Sequence, residues 1–161
     1  FEFIKSLSNF NFIIVPHDPE RSLSVSKRFN AMLYSNEKRK EDRLSFQRNN
    51  ILVIDRLGLL FSLYKYASIA YIGGGFNKGI HNILEPASFG KPIIFGPNYK
   101  KFKEAYDLIE LKGAESILDF SQLSDSIYRF QEFENKTTKD YMSKKCGATE
   151  KIIKEIGYKR R

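Results

Sequence analysis

The chain has 161 residues, a formal net charge of +8 and a hydrophobic fraction of 42%, which is enough apolar material for one domain with its own core. Its one cysteine, Cys146, excludes an internal disulfide and a multi-thiolate metal site, and the polar sequence around it favours an incidental thiol over a nucleophile. No apolar run approaches the roughly 18 residues that a membrane-spanning helix needs, so any membrane contact is expected to be peripheral.

The predicted strands are short apolar runs. The chain first shows an apolar residue at every third position, Phe1, Ile4 and Leu7, which predicts that it starts inside a helix. The runs that follow are nearly continuous and rich in β-branched residues, as is typical of strands buried on both faces. They cover residues 11–15, 51–54, 69–72, 92–95 and 114–118.

Segments with helical spacing lie between and after these runs. The first predicted helix covers residues 21–34, and a charged loop follows it. Two further helices are predicted from apolar faces, one of Leu59, Leu63 and Tyr66 and one of Phe102, Tyr106 and Ile109. The last two predicted helices cover residues 122–133 and 148–156, and the second of them starts near Gly147. Strands that alternate with helices predict an α/β fold with a Rossmann-like, doubly wound parallel sheet, here as one domain over residues 1–161. A strand should precede the opening helix, so the chain is expected to be a fragment that lacks the first strand.

In such sheets ligands bind beyond the carboxyl ends of the strands, where loops expose the ends of helices. The loops after the predicted strands read PHDPER, DRLG, GGGFNKGIHNILEP and GPNYKKF. These loops should therefore meet at one edge of the sheet, and they are the candidate site.

The glycine-rich loop matches neither standard phosphate-binding motif. The dinucleotide fingerprint requires glycine at its sixth position, where a count from Gly73 reaches Lys78. A P-loop requires Lys and then Ser or Thr after its second glycine, where this chain has Ile80 and His81. Both motifs are therefore excluded.

Two interpretations of the glycines Gly74 and Gly75 remain. Glycine lets a backbone approach an anionic ligand closely, and helix N-termini offer unpaired N–H groups to it. Alternatively, the glycines form a tight turn that needs a positive φ angle. His81 is equally open, either as a hydrogen-bonded turn residue or as a catalyst. Histidines and carboxylates do not cluster in the sequence and no Asp-x-Asp pair occurs, so nothing indicates a metal.

Glu85 also has two interpretations. Pro86 predicts a helix that starts within residues 82–85, because proline suits the first turn of a helix and disrupts later ones. Asn82 is then the predicted N-cap, with Glu85 three residues on in a box-like arrangement worth about 1 kcal/mol. The functional alternative is that the Glu85 carboxylate accepts hydrogen bonds from the two vicinal hydroxyls of a ribose.

The order of these segments resembles a known family. PHDPER, then DRLGLLFSLYKYASIAYIGGGF, then GIHNILEPASFGKPIIFGPNYKKFKEA resemble the C-terminal half of the 3-deoxy-D-manno-octulosonic acid (Kdo) transferases of lipopolysaccharide biosynthesis, which are two-domain glycosyltransferases of the GT-B fold. The resemblance covers essentially the whole chain and is densest over residues 11–105. Its most specific part is HN-x-LEP followed by GKP and GP.

The resemblance implies a binding site for the donor CMP-Kdo. Family members hold CMP with a Pro-Arg pair, with the backbone of an Asp-x-x-Gly-Glu segment, and with an Asn-x-Leu-Glu segment. The matching donor-binding residues here are Pro16, His17, Leu57, Gly58, Leu59, Asn82, Ile83, Leu84 and Glu85, beside Gly74, Gly75 and His81 of the glycine loop. In this assignment Asn82 and the helix start face phosphate, Glu85 faces the ribose, and the backbone of residues 57–59 faces the cytosine edge.

The chain departs from the family at several of these positions. His17 replaces the family arginine, and Leu59 replaces an acidic residue. The glycine loop reads GGGF and GIHN where the family has GGSL and GGHN. Arg21 is the candidate for the phosphate contact that the family arginine makes.

The function that the resemblance implies is donor binding in an inverting, metal-independent transferase that moves Kdo to a lipid A precursor, with no cofactor besides the CMP-Kdo donor. No catalytic residue is expected in this chain, because the general base belongs to an acceptor domain N-terminal to Phe1, and the isolated domain should be inactive. The full enzyme is expected to associate peripherally with the cytoplasmic face of the bacterial inner membrane and to bind the lipid acceptor through that other domain, whereas the fragment should be soluble.

Two alternatives remain at this point. A GT-B domain can use another nucleotide sugar, such as a UDP-sugar. The charge of +8 would also suit a module that binds nucleic acid, although anionic lipid and phosphorylated small molecules attract a basic surface equally. The basic stretches do not interleave with aromatic residues as in an RNA-binding sheet, so the sequence favours the interpretation without nucleic acid.

Overall fold

The computed structural model describes residue 4 and residues 9–36, 50–133, 136–145 and 147–156. The predicted opening helix, apart from Ile4, the charged loop after residue 36, and Cys146 lie outside the described residues. The chain divides into two compact units, Phe1–Leu63 and Tyr64–Arg161, and each is described by itself. The assignment of residues 1–161 to a single domain stays a prediction.

The first unit contains a parallel three-stranded sheet. Its elements are β1 (Phe12–Ile14), a 3-10 helix (Pro19–Arg21), α1 (Ser22–Phe29), β2 (Met32–Leu33), a 3-10 helix (Tyr34–Asn36), β3 (Ile51–Val53) and α2 (Leu60–Leu63). The strand order is β1-β3-β2, and Val53 lies opposite both Ile14 and Leu33. The core of this sheet is formed by Phe29, Ala31, Ile51 and Val53.

The predicted helix over residues 21–34 is wrong in its second half. Helix α1 ends at Phe29 because Asn30 takes the left-handed conformation, with φ 51° and ψ 44°, which asparagine tolerates better than most residues. The chain then turns sharply, since the N–H of Ala31 donates to the carbonyl of Ser26 and the Ser26 hydroxyl donates to the carbonyl of Ala31. The next two residues therefore extend as β2, a strand that the sequence did not predict.

The second unit contains another parallel three-stranded sheet, with the order β4-β5-β6. Its elements are a 3-10 helix (Tyr64–Tyr66), β4 (Ala70–Ile72), α3 (Leu84–Ser88), β5 (Ile93–Phe95), α4 (Lys103–Glu110), β6 (Ala114–Ser116), α5 (Phe120–Phe130), α6 (Lys136–Lys145) and α7 (Ala148–Glu155). The register places Phe95 opposite both Ile72 and Ser116.

Strand β5 shows why this fold needs helices on both faces of the sheet. Ile93, Ile94 and Phe95 are all 0% exposed. Ile93 and Phe95 pack in one apolar cluster with residues of α3, α4 and α6, whereas Ile94 packs in another with residues of α5. Alternate residues of a strand point to opposite faces, so both faces are covered. The predicted α/β, Rossmann-like parallel arrangement is confirmed.

The helix predictions hold to different degrees. Helix α4 lies where it was predicted, and α7 starts directly after Gly147. Helix α5 starts at Phe120, before the predicted residue 122, because the Asp119 carboxylate accepts a hydrogen bond from the N–H of Gln122 and caps the helix. Helix α6 was not predicted, since its sequence KTTKDYMSKK is mostly polar. No helix in the described ranges combines the length and apolarity needed to cross a bilayer.

Candidate functional site

In the first unit the predicted donor residues follow neighbouring strands. Pro16 and His17 come after β1, and residues 57–59 come after β3, which pairs with β1 in parallel. Parallel neighbours end at the same edge of a sheet, so the structure brings these residues to one edge. The side chain of Leu57 is 81% exposed. Gly58 has φ +83° and open space on its Cβ side, so the backbone there is accessible to a ligand.

Asp55 fixes the start of this exposed loop, a role that the sequence did not reveal. Its carboxylate accepts hydrogen bonds from the N–H and the hydroxyl of Ser35, which follows β2. The next residue, Arg56, places its guanidinium 5.7 Å from the centroid of the Tyr34 ring. The loops after β2 and β3 are therefore joined at their bases. The predicted donor residue His17 and the predicted phosphate contact Arg21 are exposed.

In the second unit the glycine loop follows β4 and closes on itself. The carbonyl of Gly73 accepts a hydrogen bond from the N–H of His81 at 3.2 Å. Inside this closure the carbonyl of Gly74 accepts from the N–H groups of Asn77 and Gly79, at 2.9 and 3.3 Å. The loop is thus a compact closed turn, and Asn82 follows its last hydrogen bond directly.

Local backbone packing accounts for two glycines of this loop. Gly74 has φ +88°, and a Cβ added there would lie 2.3 Å from the carbonyl oxygen of Gly79. A Cβ added at Gly75 would lie 2.6 Å from the backbone nitrogen of Gly96, which follows β5. Both positions therefore require glycine for structural reasons. Gly74 needs a positive φ angle, as the tight-turn interpretation states, whereas Gly75 needs room for the backbone of Gly96. Contact of either glycine with a donor stays a prediction.

Asn98 joins the glycine loop to the loop after β5. Its N–H donates to the carbonyl of Gly75 at 2.8 Å, and its carbonyl accepts from the N–H of Ile80 at 3.3 Å. Its side-chain amide donates to the carbonyl of Asn77 at 2.8 Å. The sequence had placed Asn98 in a candidate loop, GPNYKKF, but had not singled it out.

The start of α3 carries the Asn82 and Glu85 pair. Helix α3 starts within the predicted range, but its N-cap is Ile83, so the prediction that Asn82 is the N-cap is wrong by one residue. The Asn82 side-chain oxygen accepts from the N–H of Leu84 at 3.0 Å, as in an Asx turn. Its amide nitrogen donates to a Glu85 carboxylate oxygen at 3.0 Å. Asn82 thus holds the Glu85 carboxylate and occupies the Leu84 N–H.

Tyr64 lies beside Glu85 and was not identified from sequence. Its ring is buried and contacts the ring of Phe89, with centroids 6.4 Å apart. Burial raises the pKa of Tyr64 to about 12, and the negative charge of Glu85 adds to that increase. Tyr64 therefore lies close enough to Glu85 for the carboxylate charge to act on its hydroxyl.

A cleft of about 290 Å³ lies next to α3, between α4 and α6. Of the predicted site residues it includes Leu84 alone. The other lining residues include Asp107, whose carboxylate accepts from the Tyr141 hydroxyl at 3.0 Å and pairs with Lys145 at 3.2 Å. These contacts lower the pKa of Asp107, with the Tyr141 hydrogen bond as the largest cause. Three polar groups of this cleft, those of Asp107, Tyr141 and Lys145, are thus engaged with one another.

No group of three or more His, Cys, Asp or Glu side chains within the described ranges has the arrangement of a metal site. Independence from a metal stays a prediction. The predicted residues form two sets, one at the edge of each sheet: Pro16, His17, Leu57, Gly58 and Leu59 in the first unit, and Gly74, Gly75 and His81 to Glu85 in the second.

Comparison with solved structures defines the class of fold. The chain aligns with the crystal structure of the C-terminal CMP-Kdo binding domain of WaaA from Acinetobacter baumannii, with a TM-score of 0.64 and 23% identity, over 81% of this chain and 69% of that one. The agreement covers most of both chains, so this protein has the same α/β Rossmann-like fold. No family model matches the sequence.

Comparison with curated proteins defines the relationship more closely. The chain is 31% identical over 122 residues to 3-deoxy-D-manno-octulosonic acid transferase from Rickettsia bellii, and 35% identical over 120 residues to the enzyme of that name from Aquifex aeolicus. The matches cover 71% and 70% of this chain, and 29% and 31% of the relatives. A bifunctional glycosyltransferase/methyltransferase from Fusobacterium nucleatum is 36% identical over 95 residues. The chain is thus similar in sequence to Kdo transferases over about 70% of its own length and spans about three tenths of the length of these relatives.

Proposed function

We propose that this chain is the donor-binding domain of a glycosyltransferase that transfers Kdo from CMP-Kdo to a lipid A precursor. The main support is the segment HNILEP. It follows the closed glycine loop at the carboxyl edge of β4, and its Asn82 amide holds the Glu85 carboxylate at 3.0 Å. Ligands of α/β folds bind at such an edge, and the chain's relatives are named as Kdo transferases.

Each part of the donor has a proposed partner in the chain. The Glu85 carboxylate accepts hydrogen bonds from the ribose hydroxyls. The glycine-loop backbone contacts the phosphate, because the Leu84 N–H already binds Asn82. In the first unit, His17 and Arg21 are the donor contacts that the family resemblance indicates, and both are exposed. The accessible backbone of residues 57–59 contacts the edge of the cytosine base.

In this proposal the chain contributes to the transfer by stabilising the leaving group. Negative charge develops on CMP as its bond to Kdo breaks, and fixed N–H groups and cations at the phosphate lower the barrier. The reaction inverts the sugar configuration and requires neither a metal nor a further cofactor. The general base belongs to a part of the enzyme outside these residues, so this chain alone binds donor without transferring it.

The proposed setting is the cytoplasmic face of the bacterial inner membrane. The acceptor is a lipid A precursor anchored in that membrane, and the proposed enzyme reaches it by peripheral association. A separate acceptor domain contacts the lipid, whereas the residues described here contact the nucleotide. Nucleic acid is not a proposed partner.

Calorimetric titration with CMP tests this proposal. We expect the 161-residue chain to bind CMP, and Glu85→Gln to weaken binding by about tenfold or more, since hydrogen bonds to a charged group contribute roughly 1.5–3 kcal/mol. Glutamine keeps the oxygen that Asn82 binds and removes the charge. The matched control is Glu110→Gln, a carboxylate at the end of α4, which should bind CMP as the wild type does.

Two results would contradict the proposal. One is a folded chain that does not bind CMP at millimolar concentration. The other is a Glu85→Gln variant with wild-type affinity, which would remove this carboxylate from the site. A chain that binds UDP more tightly than CMP would instead support a donor domain for a UDP-sugar, so the titration includes UDP as a competitor.

A further inference from the structure

We propose that Asn98 is a positioning residue for the donor site, because it fixes the glycine loop and thereby the place of Asn82 and Glu85. The inference rests on the proposed function. Asn98 lies at the edge of the site, on the loop after β5, and it reaches the glycine loop through three hydrogen bonds. No residue of its own loop is among the donor contacts proposed above.

The three hydrogen bonds are distributed along the glycine loop. Asn98 binds Gly75 near the start of the loop, Asn77 in the middle and Ile80 near the end. A loop bound at three separate points to one residue of a neighbouring loop cannot shift as a whole without breaking them. His81 then closes the loop on Gly73, and the donor segment begins at the next residue. The position of Asn98 is thus transmitted to Asn82 along the backbone of the glycine loop.

The side chain of Asn98 contributes one of these bonds in a way that few residues can replace. Two of the bonds use the Asn98 backbone and would be made by any residue. The third requires a short side chain with an N–H donor, because its acceptor is the backbone carbonyl of Asn77 at 2.8 Å. Aspartate has the same shape but would place a carboxylate against that carbonyl, and alanine would leave the carbonyl without this partner.

The close approach of the two loops explains why this bond affects the whole glycine loop. The missing side chains of Gly75 and Gly96 leave backbone in contact with backbone, at distances that no Cβ could fit. The ring of Phe76 also packs against Gly96, 2.7 Å from the position of an added Cβ, so the contact has little free space to absorb a displacement. Preorganisation of a binding loop increases affinity by reducing the ordering cost that binding must overcome, so loss of the Asn98 bond should weaken donor binding without removing a donor contact.

The test compares Asn98→Ala and Asn98→Asp with the matched control Gln131→Ala. The control removes an exposed amide side chain at the end of α5, outside the glycine loop and the loop after β5. CMP affinity is measured by calorimetry, and amide hydrogen exchange of residues 76–82 is measured in the free chain. We expect both Asn98 variants to bind CMP about three- to tenfold more weakly and to exchange faster in this loop, with Gln131→Ala like the wild type in both measurements.

The two measurements separate the inference from the proposed function. A wild-type chain that fails to bind CMP contradicts the proposed function, and faster loop exchange in the Asn98 variants would still support the contact with the loop. Unchanged exchange in Asn98→Ala overturns the inference whatever CMP does. Faster exchange with unchanged CMP affinity overturns it too, because Asn98 would then order the loop without positioning the donor site. Because Asn98 is exposed, we expect its variants to fold, and thermal melting of each variant checks this.

Discussion

Gly75 and Gly73 belong to the same run of glycines but have different structural roles. Gly75 lies against Gly96, whereas the nearest atom to a Cβ added at Gly73 is a ring carbon of His81 at 3.8 Å. That distance is an ordinary van der Waals contact. The sequence could not distinguish the two positions, because the difference depends on Gly96, which follows the next strand, β5, and packs against Gly75.

Substitution of these glycines gives the first prediction about stability. We expect Gly75→Ala to lower the free energy of unfolding by about 2 kcal/mol, since overpacking of this kind typically costs 1–3 kcal/mol. Gly73→Ala, the matched control, should stay within about 0.5 kcal/mol of the wild type. Urea denaturation of both variants measures the difference. Equal stabilities would contradict the backbone contact between Gly75 and Gly96.

Glu85 shows how much of the candidate site could be predicted from the sequence at the level of single residues. The pattern HNILEP correctly indicated a helix start and a relation between Asn82 and Glu85, because the two residues are close in the chain and proline restricts the helix register. It did not indicate Asp55 or Asn98. Their hydrogen-bond partners are 20 and 21 residues away in the chain, and such contacts follow from the packing of strands rather than from local spacing.

At the scale of secondary-structure elements, β6 and α5 are joined by one polar cluster. The Glu115 carboxylate on β6 accepts hydrogen bonds from Arg129 and from the hydroxyl of Ser126, both on α5. The hydrogen bond from Arg129 is the main reason why the pKa of Glu115 is lowered below its ordinary value of 4.5, and burial opposes it. Ser126 is 0% exposed, so the Glu115 carboxylate also gives this buried hydroxyl a hydrogen-bond partner.

The lowered pKa of Glu115 predicts a pH-dependent contribution to stability. A carboxyl group with a lowered folded-state pKa stabilises the fold above its unfolded pKa and loses that contribution as the pH falls through the folded value. Glu115→Gln should therefore cost roughly 0.5–1 kcal/mol at pH 7, after allowance for solvent screening of the exposed Arg129, and less at pH 3. Urea denaturation at both values measures this. The control Glu132→Gln should show no such difference, and a cost independent of pH would contradict the ionic role of Glu115.

The elements that the sequence predicted well are those with strong local signals. The apolar run at β5 and the helical spacing of α4 agree with the structure, because burial on both faces and an apolar stripe are visible in local order. Strand β2 has two residues and depends on its pairing with β3, so it left no periodic signal. The polar helix α6 was missed because its buried contacts come from a few residues, such as Tyr141, which is 7% exposed.

At the scale of the whole molecule, each compact unit has apolar clusters of its own. Val53 belongs to a cluster whose members all lie before residue 64, and Ile93 to a cluster whose members all lie from residue 64 onward. Both side chains are 0% exposed. Truncation of either side chain should therefore act first on the unit that contains it.

We expect Ile93→Ala to destabilise the second unit by about 2–5 kcal/mol, the usual cost of such a cavity. Amide exchange should increase mainly in the described residues from 64 to 156. Val53→Ala is the matched variant and should increase exchange mainly in residues 9–36 and 50–63. Hydrogen exchange with mass spectrometry resolves these segments. An equal increase across the whole chain in both variants would show that the units unfold as one.

The contact between Gly75 and Gly96 also limits how this chain can vary. A clash between two side chains can often be relieved when one partner becomes smaller, but glycine has no side chain that could be shortened. No second substitution at the other position can therefore compensate for a first one. In a saturation library selected for folding, both positions should return glycine almost exclusively, while Gly73, two residues away in the chain, admits alanine.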